Sequence, residues 1–305
     1  MYDIIVVGGG PAGLCAAVYA RRANKSVLIL EKNAFGGQIT FSPKVENYPA
    51  FETISGSELA DKMVGQVLAQ GADVEIETAT AIRTEGDLRI VETEDGNRYE
   101  AHAVILANGA RHRHLGIENE ERFIGEGISF CAVCDGAFYK NKTVALIGGG
   151  NSALQEAILL SETCKKVYVI QNLDFLTGES RLQEILANRG NVEVITGTVV
   201  KSINDTPEFS GITVEQTATG KTTALALDGM FVAIGLVPEN GAFESVATLT
   251  DAGYFDADET CVTKTPGVFV AGDTRKKSVR QVSTAIADGA VAAIAACRYI
   301  DALRP

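Results

Sequence analysis

Two cysteines separated by two residues, in the run Cys131-Ala132-Val133-Cys134-Asp135-Gly136, are the side chains of this chain best equipped to do chemistry. At that spacing on a turn or helix start, two sulfurs close into a small ring and one thiol is readily kept partly ionised, which suits dithiol–disulfide exchange. A zinc site would need two further ligands at matching spacing. Only single cysteines and the histidines His102, His112 and His114 remain, so no metal is expected. Of the six cysteines, Cys15, Cys164, Cys261 and Cys297 sit in apolar or helical surroundings, where a free thiol behaves as a small hydrophobe. Asp135 directly follows the pair. It is placed to protonate a departing thiolate or to cap a helix, and the two roles are compatible.

The elements around the pair are announced by glycines. An apolar run, Asp3 to Val7, leads into Gly8-Gly9-Gly10-Pro11-Ala12-Gly13, then an amphipathic stretch to about Ala23 and a second apolar run, Val27 to Leu30, ending on Glu31. That order is strand, glycine turn, helix, strand. Such glycines let a pyrophosphate approach bare backbone amides at a helix N-terminus, and Glu31, 23 residues after Gly8, stands where an acid grips ribose hydroxyls. The grammar returns from Thr143 with Val144 to Ile147, Gly148-Gly149-Gly150-Asn151-Ser152-Ala153, a helical segment to about Thr163, and Val167 to Ile170. Here the residue at the acid's position is Gln171, which has neither a carboxylate for a ribose diol nor a guanidinium for a 2'-phosphate. No Lys or Arg occurs from Val167 to Ser180, whereas Asp174 and Glu179 do. A dianionic phosphate there would meet like charge without a counter-ion.

At 305 residues the chain is long enough for two domains of roughly 150 residues each. Its hydrophobic share of 46% and charged share of 22% are ordinary for a globular protein. No basic leader precedes the first strand and no apolar run approaches the ~18 residues of a membrane span, so a cytoplasmic protein without membrane partners is expected. The net charge of -12 disfavours nucleic acid, whose phosphates call for clustered Lys and Arg.

Over nearly its whole length the chain resembles the low-molecular-weight thioredoxin reductases. Gly8, Gly10, Pro11, Ala12 and Gly13 look like that family's FAD pyrophosphate loop. Gly36, Gly37 and Gln38, with Val45-Glu46-Asn47-Tyr48-Pro49, are similar to its flavin-contacting segments. Ala107-Asn108-Gly109-Ala110 resembles its Ala-Thr-Gly-Ala domain exit with Asn108 in place of Thr, and Cys131 to Gly136 is its redox motif without change. Ala271-Gly272-Asp273 followed by Arg280-Gln281-Val282 resembles its C-terminal FAD clasp. The resemblance implies an α/β fold of two Rossmann-like three-layer domains, the second inserted into the first. An FAD domain would span 1–113 plus 242–305, and an NAD(P)-binding-like insert, 114–241, would carry the disulfide. The segments Arg111 to Gly116 and Ile234 to Pro238 would form a paired connection of a kind that permits rotation between the domains.

The resemblance further implies FAD as cofactor, thioredoxin as substrate and a homodimer. Cys134 would face the flavin, Cys131 would attack the partner's disulfide, and Asp135 would be the acid. Asp273 would bind the ribityl chain. NADPH-using members carry a His-Arg-Arg cluster and a further Arg where this chain reads Gln171 to Glu179, so NADPH is doubtful. The resemblance is closer to the pyridine-nucleotide-independent branch, whose donor is reduced ferredoxin. Two basic clusters, Arg111-His112-Arg113-His114 and Arg275-Lys276-Lys277 with Arg280, are expected to steer an acidic ferredoxin. Three other readings stay open: an NAD(P)H-dependent reductase, a dithiol oxidase using oxygen, and a non-catalytic flavin-binding subunit.

Overall fold

The first apolar run folds as strand β1 (Tyr2–Val7), and its alternation decides what it separates. Ile4 and Val6 enter one core with Ala16, Ile29 and Ile105, while Ile5 and Val7 enter another with Leu28, Leu30 and Val104. A parallel strand buried on both faces has to be a continuous apolar run, as this one is. The computed structural model describes residues 1–42, 45–205 and 207–303. Within them the chain forms two units, Met1–Arg111 joined by the chain from Val237 onward, and His112–Leu236 between.

From β1 the chain continues through α1 (Pro11–Arg22), β2 (Val27–Glu31), α2 (Gly56–Ala69), β3 (Asp73–Ile76), β4 (Ala79–Glu85), β5 (Leu88–Thr93), β6 (Arg98–Leu106) and β7 (Ala110–His112). Pro11 opens α1, where its missing N–H costs nothing, and the helix stops where Asn24 turns left-handed at φ 58°. The Ser55 hydroxyl caps α2 by accepting from Glu58 N at 3.1 Å. The second unit holds β8 (Ile128–Ser129), α3 (Ala132–Asp135), β9 (Thr143–Ile147), α4 (Asn151–Ser161), β10 (Lys166–Ile170), α5 (Ser180–Ala187), β11 (Val192–Ile195), β12 (Thr198–Asp205), β13 (Phe209–Gln216), β14 (Thr222–Ala226) and β15 (Gly229–Val232). The chain returns through β16 (Leu236–Pro238), which pairs with β7, and finishes the first unit with β17 (Val268–Val270) and α6 (Val282–Leu303).

The first unit's sheet runs β3-β2-β1-β6-β5-β4, with β17 also parallel to β6. Helices α1 and α6 pack together on one face of it, and Phe243, Phe255 and their neighbours fill the other. The second unit's sheet, β11-β10-β9-β15-β8, is parallel throughout. Val144 and Leu146 of β9 face α4, while Ala145 and Ile147 face the antiparallel sheet β12-β13-β14. The architecture is α/β, with two Rossmann-like three-layer units and the second interrupting the first.

Residues 237–241 belong with the first unit rather than with the insert. Asn240 ties them there, being only 1% exposed. Its Nδ2 donates to the carbonyls of Gly253 and Thr274, both at 2.9 Å, and its Oδ1 accepts from Asn108 Nδ2 at 2.8 Å and Thr274 Oγ1 at 2.6 Å. Asn108 at the domain exit is therefore one member of a buried amide network.

Candidate active site

Cys131 and Cys134 form a disulfide with their Cα atoms 5.3 Å apart. Cys131 is extended at the N-cap of α3, and its Sγ accepts from the Cys134 amide at 3.2 Å. The Cys131 amide donates to Ser129 Oγ at 3.1 Å, and that hydroxyl donates to Asp135 Oδ2 at 2.6 Å. Asp135 Oδ1 is buried without a hydrogen-bond partner. Burial raises the Asp135 carboxyl above the usual range, with the Ser129 hydroxyl opposing, which suits an acid rather than a helix cap. Indeed the sulfur of Cys131, and not Asp135, caps α3. The Ala132 amide donates to Glu156 Oε2 at 3.1 Å from α4. Phe130, just before the pair, stacks on His112 and His114 at 4.9 and 5.0 Å between ring centroids. Burial, followed by the charge of His114, lowers the His112 pKa to about 4.

The first glycine turn is a cradle. Gly8 N donates to Leu30 O at 2.8 Å and Gly9 N to Glu31 Oε2 at 2.7 Å, so the acid at the end of β2 braces the turn it was expected to serve. A Cβ on Gly13 would lie 1.9 Å from Gly8 O, which excludes any side chain there. Gly10 precedes α1 without a side-chain cap, leaving the helix's first amides to a ligand. Gly36 N donates to Gly9 O at 2.8 Å, and Gly37 lies beside Gly10, where an added Cβ would meet Gly10 Cα at 3.2 Å. Gln38 is exposed in the 3-10 turn Gly37–Phe41. Gly272, at φ 82°, abuts Ala12, and the exposed Asn47 donates to Gln281 Oε1 at 3.2 Å. Val282 starts α6 and packs on the cluster containing Ile39 and Leu59.

Asp273 Oδ1 is a buried acceptor with no partner at this cradle. Burial raises its pKa, against the pull of Lys277 and Arg280. Arg280 lies 4.2 Å above the Tyr254 ring and donates from Nε to Asp273 O at 3.3 Å. An orphaned carboxylate oxygen, a glycine floor and open helix amides fit a dinucleotide whose hydroxyls and phosphates would satisfy them.

The second glycine turn repeats the first in backbone and departs from it in side chains. Gly148 N donates to Ile170 O at 2.9 Å, as Gly8 does to Leu30. Gln171, buried at 6% exposure, lies under Gly149, where an added Cβ would meet its Cδ at 2.6 Å. Thr177 and Gly178 amides both donate to Gly149 O at 2.9 Å. Glu179 and Asn151 are locked reciprocally, Glu179 N to Asn151 Oδ1 at 2.7 Å and Asn151 Nδ2 to Glu179 Oε1 at 3.0 Å. A carboxylate therefore stands at the first residue of α4.

The basic cluster near the C-terminus is not the open surface its sequence suggested. Arg275 is 2% exposed and gives Asp288 two hydrogen bonds, at 2.8 and 2.9 Å, and Glu259 a third at 3.0 Å. Lys277 Nζ also binds Asp288 Oδ2, at 2.9 Å. Burial raises the Asp288 pKa, but hydrogen bonds from Arg275 and Lys277 outweigh it and hold the carboxyl below the usual range. Only Lys276 extends into solvent, beside Asp256. In the other cluster Arg111 pairs with Glu239 at 3.0 Å and His114 with Glu121 at 2.9 Å. Ser129, Glu156, Asn240 and Asp288 escaped sequence reading because each is an ordinary polar residue until folding supplies its partner. Cys15, Cys164, Cys261 and Cys297 are free and buried. Among the described residues no group of three or more His, Cys, Asp or Glu stands together as a metal site, and no helix is long and apolar enough to cross a membrane.

Residues 2–289 match the family described as pyridine nucleotide-disulphide oxidoreductase. The thioredoxin reductase of Treponema pallidum is 41% identical over 304 residues, covering 99% of this chain and 98% of that protein. A Clostridium pasteurianum relative, described as a 34.2 kDa protein in rubredoxin operon, is 40% identical over 98% of this chain and 97% of its own. The crystal structure of thioredoxin reductase from Streptococcus pyogenes superposes with a TM-score of 0.94 at 39% identity, covering 99% of both chains.

Proposed function

The chain belongs to the pyridine nucleotide-disulphide oxidoreductase family and is an FAD-dependent disulfide oxidoreductase of the thioredoxin reductase type, and from that premise we propose that it takes electrons from reduced ferredoxin and delivers them through Cys131 and Cys134 to thioredoxin. Gly8, Gly10, Pro11, Ala12, Gly13 and Glu31 would hold the pyrophosphate and ribose of FAD. Gly36, Gly37, Gln38, Asn47, Gly272, Asp273, Arg280, Gln281 and Val282 would hold the flavin half. Bound FAD supplies the exchange of electrons between a donor and the disulfide.

The chain's own residues account for the thiol steps. The Cys131 thiolate, favoured by the Cys134 amide that donates to its sulfur, attacks one sulfur of the thioredoxin disulfide and forms a mixed disulfide. That breaks the thioredoxin S–S bond, and Asp135 protonates the departing thiolate. Cys134 then gives up its proton, attacks Cys131 Sγ, re-forms the internal disulfide and releases the second thioredoxin thiolate, which takes the proton. The disulfide beside a buried, half-satisfied carboxyl is the observation that carries this reading.

The donor assignment rests on the second glycine turn. Gln171 fills the position of the ribose-binding acid, and Glu179 places negative charge at the start of α4. A nucleotide phosphate there would meet a carboxylate. The Clostridium pasteurianum relative is described as a protein in a rubredoxin operon. Against this, the Gly148 turn keeps the backbone bonds of a dinucleotide cradle, which favours an NADH- or NADPH-driven second reading. A homodimer is part of the proposal, and the exposed Tyr19, Val291 and Ile294 on α1 and α6 are apolar surface available to it.

The deciding experiment is anaerobic absorbance of the FAD-loaded protein on adding NADPH, then NADH, then photoreduced ferredoxin, with thioredoxin to close the cycle. Bleaching by ferredoxin alone supports the proposed donor. Rapid bleaching by either nucleotide replaces it with the second reading. Peroxide formation from a small dithiol, without thioredoxin turnover, would make the protein an oxidase.

A further inference from the structure

Glu156 is a carboxylate that the disulfide chemistry described above does not use. It lies on α4, partly buried, and its Oε2 accepts the amide of Ala132, the residue that follows Cys131. The same short turn directs the Cys134 amide to Cys131 Sγ. One backbone amide thus supports the sulfur while another, two residues earlier, supports a carboxylate, and two anions cannot share this turn without raising each other's energy.

We propose that Glu156 is the proton partner of the redox pair, taking up a proton when the Cys131–Cys134 disulfide is reduced and releasing it when the disulfide re-forms. The balance is explicit. Two electrons from the enzyme's reductant break the S–S bond, one proton joins one sulfur, and the other remains a thiolate. A second proton from solvent goes to the Glu156 carboxylate, so the turn gains no second uncompensated charge. Oxidation by thioredoxin reverses both transfers. Glu156 acts through the amide of Ala132 and through its charge, as a positioning residue.

Its own ionisation lies in the range this role needs, since burial pushes the carboxyl up to about 7 and the Ala132 amide opposes the rise. The ionisable groups on the elements packed against α4 are Cys134 and Asp135 on α3, with Cys131 at its N-cap, Arg181 and Glu184 on α5, and Lys166 and Tyr168 on β10. Tyr139 and Glu179 flank these elements. None of them contributes to the rise, which leaves a new charge on the pair as the perturbation Glu156 is free to answer. Asp135 differs in kind, because its Oδ2 is tied to Ser129 and it serves the leaving sulfur.

The inference rests on the redox role of the pair proposed above, and its test does not depend on donor or thioredoxin. The full-length, FAD-loaded protein and its Glu156→Gln variant are equilibrated in dithiothreitol redox buffers from pH 6 to 9, and reduced Cys131/Cys134 is counted by maleimide gel shift. Glutamine still accepts the Ala132 amide, so a purely structural role leaves the ratio of the two equilibrium constants flat with pH. The proposal expects the wild-type constant to fall relative to the variant's by at least threefold between pH 6 and 8.5. The limiting slope is tenfold per pH unit, about 30 mV for a two-electron couple. In reduction-induced difference infrared spectra at pH 7.5, wild type gains a protonated-carboxyl band beyond any the Glu156→Gln variant gains through Asp135. A flat ratio and no such band overturn the role of Glu156 while leaving the pair's function standing. A pair that does not cycle between disulfide and dithiol at all overturns the functional reading itself.

Discussion

The Ser129 hydroxyl donates to Asp135 Oδ2 at 2.6 Å while the other oxygen of that carboxylate is buried without a partner. Asp135 is thus anchored on one side and free on the other, next to the pair. Replacing Asp135 with Asn keeps the anchor and removes the proton. Thioredoxin turnover is expected to fall by about 10² or more, the usual scale for a lost acid, with little change in flavin reduction. Steady-state and single-turnover rates compared side by side check both halves.

Ser129 would set the pH at which Asp135, the proposed acid, works. Burial raises the Asp135 pKa and the Ser129 hydrogen bond opposes the rise, so Ser129→Ala moves it higher still. A reaction needing the protonated acid then persists to higher pH. The alkaline limb of the kcat/KM profile should shift upward, and an unmoved limb would remove Asp135 from the rate-determining proton transfer.

Asp288 holds together Arg275, Lys277 and the Gly272 amide, the last at 3.0 Å. Asp288→Ala leaves Lys277 without its counter-charge and Arg275 with only the exposed Glu259, and frees the turn that carries Asp273, a loss of about 3–5 kcal/mol by analogy with other broken buried pairs. Urea unfolding and the fraction of FAD retained after gel filtration should fall together. The carboxyl's pKa is depressed, so its contribution is present above the unfolded value of 3.8 and is lost as pH falls through the lower folded value.

Lysines 276 and 277 are adjacent in sequence but differ in environment. Lys276→Glu changes an exposed side chain whose partner is Asp256, and stability should move by roughly 0–1 kcal/mol. Lys277→Glu sets a second carboxylate against Asp288 and should destabilise the protein markedly. Steering of an acidic donor through this region would rest on the exposed Lys276 and the half-buried Arg280. An unchanged salt dependence of ferredoxin-driven turnover in Lys276→Glu would exclude Lys276 from that steering.

Glu156 also makes a stability prediction. Its folded pKa of about 7 lies above the ordinary 4.5, so the native state is favoured below pH 4.5 and loses that advantage as pH rises to about 7. Glu156→Gln should therefore unfold like wild type near pH 4.5 and be more stable at pH 8, by roughly 1–3 kcal/mol after allowance for partial exposure.

Both glycine turns were legible in the sequence, because a phosphate cradle needs bare backbone at fixed spacing and its strands need unbroken apolar runs. The redox pair was legible for the same reason, since its chemistry depends on local spacing. What could not be read were partnerships across distance. Arg275 and Lys277 look like surface charge until α6 brings Asp288 to them, 13 and 11 positions later. Glu156 looks like a solvated helix residue until α3 settles on α4. Residues 237–241 looked like the end of the insert because the buried amides of Asn240 and Asn108, far apart in sequence, give no periodic signal.

Because the first unit is completed by the last part of the chain, its assembly is split in time. β6 is synthesised roughly 160 residues before β17, an interval on the order of 10–30 seconds at ribosomal speed. By the end of that interval the inserted unit has all of its strands, while β6 still lacks β17 as a neighbour and α1 lacks α6. Gly289 closes so tightly on Ala12 that a Cβ there would lie 2.2 Å from Ala12 O, so the floor of the proposed flavin cradle takes its final form only once α6 arrives. With FAD at the proposed site, cofactor capture would wait for α6, and a nascent chain stalled before Gly272 should carry a foldable insert and no flavin.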